Sequence, residues 1–393
     1  MNLFSPHGWL SALLLCCAAS AGAIPHIPAD GKQVVERLPG RSNPVQRELL
    51  QLRAELSKNP NDLALASRLA RRYIEQARIE GDPRYLGYAE AALAPWWKQA
   101  APPDDALVLR ATLRQSTHQF PLALQDLDTV VKRDSDNVQA WLTRATVQLV
   151  TGDYAGAKRS CMRLYSRAPK LVVDTCLANI ASVNGEARPA YAKLKASLAA
   201  SPEAAPAIKS WVETLLAEMA ERAGIDNEAE MYFQKALKED EADSYLLGAW
   251  SDFLLDRGRA PEVVALLKDK TRIDALLLRY ALALKATGSP EAAVQTAALQ
   301  SRFDAAMLRG DTVHQREQAR FELALRGDAA RAVKLAMLNW AVQKEPADLR
   351  ILVESAAASG DPAAGKAARD WIALTHIEER AITPLLPKLK GQP

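Results

Sequence analysis

The chain of 393 residues has few of the residues that usually carry chemistry. It contains 4 cysteines and 5 histidines, and aromatic residues make up only 6%. The histidines are scattered, and the sequence has no H-E-x-x-H and no C-x-x-C motif, so we expect no metal site. It also lacks a G-x-S-x-G turn, a P-loop and a glycine-rich dinucleotide turn. We therefore expect a protein that is not an enzyme and that needs no cofactor.

The chain also lacks an excess of charge of either sign. Lys and Arg number 50 against 47 Asp and Glu, which gives a net charge of +3. This balance provides no electrostatic footprint for nucleic acid or for an anionic membrane. We expect no nucleic-acid partner, and we expect most charged residues to lie on solvated helix faces.

The long apolar run lies at the N-terminus, in LSALLLCCAASAGA (10–23), and ends in an A-x-A pattern. This pattern is typical of a secretory signal and predicts cleavage after Ala23, so the mature protein is exported or periplasmic. The run is shorter than the roughly 20 residues that a spanning helix needs, so we expect no membrane span once it is removed. Residues 1–10 contain no Lys or Arg, which leaves an uncleaved membrane anchor as the alternative.

A helical pattern that stops and restarts recurs along the rest of the chain. In AWLTRATVQLVTGDYAGAKRSCMRLYSRAP (140–169), Gly152 suits the left-handed residue that ends a helix and Asp153 suits an N-cap. The segment 34 residues earlier aligns without a gap, and His118 fills the position of the glycine there. The predicted turn glycines are Gly81, Gly152, Gly185, Gly224, Gly258, Gly288, Gly327 and Gly360.

This period resembles the tetratricopeptide repeat, a helix–turn–helix unit of 34 residues. Small residues occupy the two positions where such helices approach closely, in the pairs Ala111 and Ala123, Ala145 and Ala157, Ala178 and Ala190, Ala217 and Ala229, and Ala281 and Ala293. The resemblance implies an all-α, right-handed superhelical solenoid of about nine hairpins with a C-terminal capping helix.

The repeat pattern also predicts the domain organisation. The expected segments are a signal peptide (1–23), an extended N-terminal arm (24–45), a degenerate first helical hairpin region (46–103), a well-matched repeat array (104–243), a divergent array (244–375), and a C-terminal cap and tail (376–393).

The resemblance further implies a concave groove, lined by the first helices, that binds an extended peptide or a partner helix. The groove positions map to Thr112, Gln115, Ser116, Leu142, Thr146, Leu149, Thr175, Asn179, Ser182, Thr214 and Glu218. The stretch is polar and uncharged in its middle, which suits hydrogen bonding to a peptide backbone. Simple solvation of these positions is the alternative interpretation.

Two further groups of residues are candidates for a structural or binding role. Cys161 and Cys176 fall at equal heights on adjacent antiparallel helices, so a disulfide is within reach, with two small buried apolar residues as the alternative. In HQREQARFE (314–322), the side chains of His314, Arg316 and Arg320 form a candidate anion cluster, with a solvated helix face as the alternative.

Together these features favour a non-catalytic scaffold in the cell envelope that binds a protein or peptide partner and aids the assembly of exported or membrane proteins. The resemblance is to exported bacterial tetratricopeptide proteins, and this functional step rests on analogy of fold. A membrane-tethered adaptor and an accessory subunit of an envelope enzyme remain the alternatives.

Overall fold

The structure is a computed structural model that describes Asp30 and residues 43–389. The predicted signal peptide and most of the predicted arm lie outside the described residues. The chain divides into two compact units, Met1–Glu48 and Leu49–Pro393. In the first unit the described residues include the start of the first helix.

All regular elements in the described part of the chain are helices. The α-helices are α1 (Pro44–Lys58), α2 (Leu63–Glu80), α3 (Arg84–Ala92), α4 (Ala94–Trp97), α5 (Asp104–Ser116), α6 (Phe120–Arg133), α7 (Val138–Val150), α8 (Tyr154–Met162), α9 (Lys170–Ser182), α10 (Ala187–Ala199), α11 (Pro206–Arg222), α12 (Asp226–Glu239), α13 (Ser244–Asp256), α14 (Ala260–Leu267), α15 (Asp274–Ala286), α16 (Glu291–Leu308), α17 (Gln315–Phe321), α18 (Ala329–Val342), α19 (Pro346–Ser359) and α20 (Pro362–Thr375). A π-helical turn (Glu322–Arg326) continues α17, and a 3-10 helix (Thr383–Lys388) follows α20.

Consecutive helices pack as hairpins, from α2 with α3 and α5 with α6 through to α19 with α20. Within residues 63–375 this makes nine hairpins, as the period predicts. Every predicted turn position has a left-handed backbone, with φ from +57° at His118 to +83° at Gly152. After Gly152, the carboxylate of Asp153 caps α8 by accepting the amide hydrogen of Gly156. The fold is therefore an all-α array of tetratricopeptide-type hairpins.

Four of the five predicted close-packing pairs are buried. Both members of the pairs Ala111 and Ala123, Ala145 and Ala157, Ala178 and Ala190, and Ala217 and Ala229 are buried. In the seventh hairpin Ala281 is buried but Ala293 is exposed, so the prediction for Ala293 is wrong. Helix α16 instead buries Leu299, Phe303 and Ala306, which lie further along the helix.

The C-terminal hairpins pack back against hairpins from the middle of the chain. The backbone amide of Lys344 donates to the carbonyl of Val150 at 2.7 Å, and the rings of Tyr154 and Trp371 lie 5.7 Å apart. One hydrophobic cluster includes Cys161 as well as Leu349. Hairpins far apart in sequence thus touch, and their first helices surround a common space.

The predicted C-terminal cap is a loop followed by the 3-10 helix. Ile377 and Ile382 in the loop are buried. Its carboxylates and cations reach earlier hairpins: Glu378 accepts the amide hydrogen of Ala187 at 3.0 Å, and Arg380 pairs with Asp226 at 2.8 Å. The cap therefore joins the end of the array to its fourth and fifth hairpins.

Candidate binding site

A cavity of about 280 Å³ lies among the first helices of the later hairpins. Its wall comes mainly from α9, α11, α13, α15, α17 and α19, with Tyr154 at the start of α8 and Glu379 in the C-terminal loop. The first helix of each tetratricopeptide hairpin faces the inside of the coil, so side chains from many repeats converge there. The wall is strongly charged, whereas the middle of the predicted groove is polar and uncharged.

One group of charges on the wall is fully paired around Asp252. The guanidinium groups of Arg279 and Arg320 each lie 2.6 Å from its carboxylate. Burial alone would raise the pKa of Asp252, but these two cations outweigh it and hold the pKa well below the usual range. Asp252 is therefore a fixed anion that joins α13, α15 and α17.

A second paired group surrounds Arg316 on α17. Its guanidinium lies 3.2 Å from Glu317, 3.0 Å from Glu345 and 3.4 Å from Asp348. Burial would raise the pKa of Glu317, but the positive charges nearby, Arg316 first, lower it to about 2. The paired groups fix the relative positions of α17 and α19.

A third group consists of carboxylates on α11 and the C-terminal loop. Nearby positive charges balance these carboxylates less well than those of the first two groups. Glu218 accepts a hydrogen bond from the Tyr245 hydroxyl at 2.5 Å, and Glu379 accepts the amide hydrogen of Ala381 at 3.2 Å. Glu221 pairs with Arg257 at 3.2 Å, but Arg257 also binds Asp226 at 2.6 Å. Burial raises the pKa of Glu218, Glu221 and Glu379, in the case of Glu221 to about 8.

The wall also presents hydrogen-bond donors. Arg222 donates to the Ser182 hydroxyl at 3.0 Å, while its Nε is buried without a partner. Lys344 lies over the ring of Trp340, 4.7 Å from the centroid, and burial lowers the pKa of its amine. The side chain of Asn179 makes no hydrogen bond within the described residues. Of these donors, Arg222 carries a charge that acts on the hydroxyl of Tyr154 on the same wall.

The structure brings only part of the predicted groove to this cavity. Leu149, Asn179 and Glu218 line it, as do Arg316 and Arg320 of the predicted anion cluster. The predicted groove residues away from its wall are Thr112, Gln115, Ser116, Leu142, Thr146, Thr175, Ser182 and Thr214, and His314 of the anion cluster is also absent from the wall.

The hydroxyl groups of several predicted groove residues form hydrogen bonds within their own helices. Thr112, Thr146 and Thr214 each donate to the carbonyl four residues earlier. Thr175 and Ser182 are buried as well as bonded, and Thr214 is buried too. For Thr175, Ser182 and Thr214 the groove prediction is wrong, because neighbouring helices cover them.

Cys161 and Cys176 are joined as a disulfide in the structure, with their Cα atoms 5.8 Å apart. Cys161 is on α8 and Cys176 is on α9, and both are buried in the cluster shared with the C-terminal hairpins. The bond connects the third hairpin to the fourth.

The cavity residues that the sequence analysis missed carry a repeat signal. Moving 34 residues on from Glu218 reaches Asp252, and the same step from Arg222 reaches Asp256. All four line the cavity. Charged residues at equivalent positions of successive first helices therefore mark the inner wall, and this pattern is visible in the sequence.

Two structural features are absent from the described residues. Residues 43–389 contain no group of three or more His, Cys, Asp or Glu side chains arranged to hold a metal ion. No helix in that part of the chain combines the length and the apolar character needed to cross a bilayer.

Comparison with known proteins gives similarity of structure alone. No protein-family profile matches the chain, and no curated protein matches it. The fold is similar to that of yeast Tom70, at 17% identity and a TM-score of 0.34, over 83% of this chain and 62% of that chain. It is also similar to the P58(IPK) TPR domain, at 14% identity and a TM-score of 0.22, over 80% of this chain and 94% of that chain. A chain of Naa15/Naa10 bound to HypK-THB is similar at 14% identity and a TM-score of 0.31, over 88% of this chain and 60% of that chain. The chain thus spans less than two thirds of the Tom70 chain.

Proposed function

We propose that the protein is a non-catalytic scaffold of the cell envelope that binds a protein or peptide partner along its concave face and aids the assembly of exported or membrane proteins. The observation that carries the proposal is the convergence of polar side chains from the first helices of successive hairpins. Repeat arrays present extended surfaces of this kind to their partners.

Two amide side chains of the predicted groove are suited to contact a partner. Gln115 on α5 and Asn179 on α9 are partly exposed, and neither side chain makes a hydrogen bond within the described residues. The threonine hydroxyls beside them bond their own helices. Amides can donate to and accept from a peptide backbone at once, so these two residues are the ones we choose to test.

Site-specific photocrosslinking tests the concave face. A photoreactive residue placed at Gln115 or at Asn179 in the full chain, expressed in its own host, is expected to capture the same partner. The matched control is Lys158, which is exposed on α8, a second helix. Capture from Lys158 alone, or of unrelated proteins from the two groove positions, would contradict the proposal.

N-terminal sequencing of the protein from its host tests the location. A mature chain that begins at Ile24 in the periplasmic fraction supports an exported scaffold. A chain that retains residues 1–23 and stays with the membrane fraction would instead support the tethered adaptor.

A further inference from the structure

Residues 376–389, the C-terminal loop with its 3-10 helix, form a strap that runs from the end of α20 back to the fourth and fifth hairpins. Glu379 of this strap lines the inner cavity together with Glu218 and Glu221 of α11. Its carboxylate adds negative charge next to both of them. The strap therefore covers part of the concave face, and a partner that approaches α11 meets it there.

The strap begins at a residue with an unfavourable backbone conformation. His376 ends α20 with φ of +54°, in the left-handed region that glycine occupies at most other turns of the array. A Cβ atom at Gly185 would lie 3.0 Å from the Cβ of His376, so the strap starts directly against the turn of the fourth hairpin. A change of φ and ψ at His376 alone would turn the strap away from the array and leave α20 intact.

The polar contacts between the strap and the earlier hairpins lie at the surface. Arg380 and Asp226 are 2.8 Å apart, but their side chains are 59% and 39% exposed, and exposed pairs of this kind stabilise little. Asp226 also binds Arg257 at 2.6 Å, so it keeps a cation when the strap leaves. Glu378, which accepts the amide hydrogen of Ala187, is exposed as well. Release of the strap therefore leaves no buried charge unpaired.

The packing beneath the strap is incomplete. Within residues 376–389 only Ile377 and Ile382 are buried, while the leucines of the 3-10 helix are partly exposed. A second cavity, open to solvent and of about 530 Å³, lies between the strap and the turn at Gly224. Well-packed interiors have few voids larger than a water molecule. Few apolar contacts thus hold the strap, which is typical of segments that open locally.

We propose that the strap is a latch, which covers part of the concave face in the free protein and swings out at His376 when the protein partner binds. Its release removes Glu379 from the cavity wall and frees the inner side of α11. The latch rests on the proposed function, because it controls access to the same face. Its movement can nevertheless be measured without the partner.

Thiol labelling of the purified full chain measures whether the strap opens by itself. Ile382 in the strap and Val353 on α19 belong to one hydrophobic cluster and are 2% and 0% exposed. In native buffer we expect Ile382→Cys to react with a maleimide at least tenfold faster than Val353→Cys, because opening of the strap exposes only the first thiol. Mass spectrometry of the labelled peptides reads each site separately. Equal rates would overturn the latch, since the strap would then open only with the whole fold.

A covalent lock tests whether the strap must open for the partner to bind. In the variant Asp226→Cys with Arg380→Cys, a short bismaleimide joins the two positions of the ion pair. We expect the joined form, with a photoreactive residue at Asn179, to capture the concave-face partner at least tenfold less than the same variant left unjoined, because the open form is depleted. Joining is also expected to slow the labelling of Ile382→Cys at least tenfold. Equal capture by the joined and unjoined forms would overturn the latch.

The matched control for the lock is an ion pair that does not involve the strap. Lys366 and Asp370 are 2.6 Å apart within α20, and the same bismaleimide joins Lys366→Cys to Asp370→Cys. We expect this link to leave both the capture and the labelling rate unchanged. If no form of the protein captures a partner, the proposed function is contradicted, and the labelling rates still decide whether the strap opens by itself.

Discussion

At the scale of single residues, the stability of the inner wall depends on arginine–carboxylate pairs with little exposure. We expect Asp252→Asn to lower the free energy of unfolding by about 3 kcal/mol, because it leaves Arg279 and Arg320 without their shared anion. Chemical denaturation measures this change.

The control for Asp252 is an aspartate on the surface that pairs with a lysine. Asp370 pairs with Lys366 at 2.6 Å, but the two side chains are 63% and 71% exposed. We expect Asp370→Asn to change the free energy of unfolding by less than about 0.5 kcal/mol. A similar loss in both variants would show that burial does not set the strength of these pairs.

A second residue-scale prediction concerns pH. Burial, with the nearby charges of Asp256 and Glu379, raises the pKa of Glu221 to about 8 from its ordinary value of 4.5. The folded protein therefore holds this proton more tightly than the unfolded chain. The resulting stabilisation is complete below pH 4.5 and is lost as the pH rises through about 8.

The Glu221→Gln variant tests this dependence. We expect its free energy of unfolding to fall less than that of the natural protein between pH 5 and pH 9, by up to about 1.4 kcal/mol per pH unit. Urea titrations at several pH values measure the two slopes, with Glu203→Gln on an exposed loop as the control. Parallel curves for Glu221→Gln and the natural protein would contradict the raised pKa.

At the scale of elements, the turns of the hairpins differ in what surrounds them. Gly152 and Gly224 both have a left-handed backbone, with φ of +83° and +73°. A Cβ atom at Gly152 would lie 2.5 Å from the Trp371 ring, whereas one at Gly224 would meet nothing within 4 Å. We expect Gly224→Ala to lower the free energy of unfolding by about 1 kcal/mol and Gly152→Ala by at least twice that amount.

Urea unfolding of the two glycine variants measures this difference. Equal losses would mean that the turn after α7 tolerates a methyl group, and that the contact with α20 adjusts to it. The comparison isolates the contact with Trp371, because alanine has the same kind of backbone penalty in both left-handed turns.

The disulfide between Cys161 and Cys176 joins α8 to α9 covalently. Replacement of both Cys161 and Cys176 by alanine is expected to lower the free energy of unfolding by about 3 kcal/mol, because the bond closes a loop of 15 residues. Mass spectrometry after alkylation without reduction should find both thiols unlabelled. Two alkylated cysteines in the protein purified from its host would contradict the bond.

At the scale of the whole molecule, the C-terminal loop stabilises a helix far away in sequence. Helix α10 has no side-chain cap from Glu186, and Glu378 accepts the amide hydrogen of Ala187 instead. We expect Glu378→Ala to cost about 1 kcal/mol, the usual effect of a lost N-cap, and to speed hydrogen exchange at the start of α10.

Hydrogen exchange with mass spectrometry localises that effect. Peptides that cover the start of α10 should exchange faster in Glu378→Ala and should be unchanged in Glu203→Ala, which removes an exposed carboxylate. Unchanged exchange at α10 in Glu378→Ala would show that the contact adds no stability.

The hairpins themselves could be predicted from the sequence because their signals are local. A glycine at the end of most first helices, an aspartate that starts the second helix in several hairpins and small residues at the close contacts each act within a few residues. His118 shows the strength of the period, since it adopts φ of +57° in a position where the other repeats have glycine. The prediction failed at Ala293, because α16 in the seventh hairpin is 18 residues long and buries residues further along the helix.

Tertiary structure determines which residues line the cavity. Tyr154, Arg222, Asp252 and Glu379 come from four elements, and they meet only because the C-terminal hairpins pack back on the third and fourth. The period of the repeat sets which face of each helix points inward, but the coiling of the array depends on small rotations between neighbouring hairpins that add up along the chain. The sequence by itself therefore determined the repeat and its turns, and the tertiary structure decided which charges face one another.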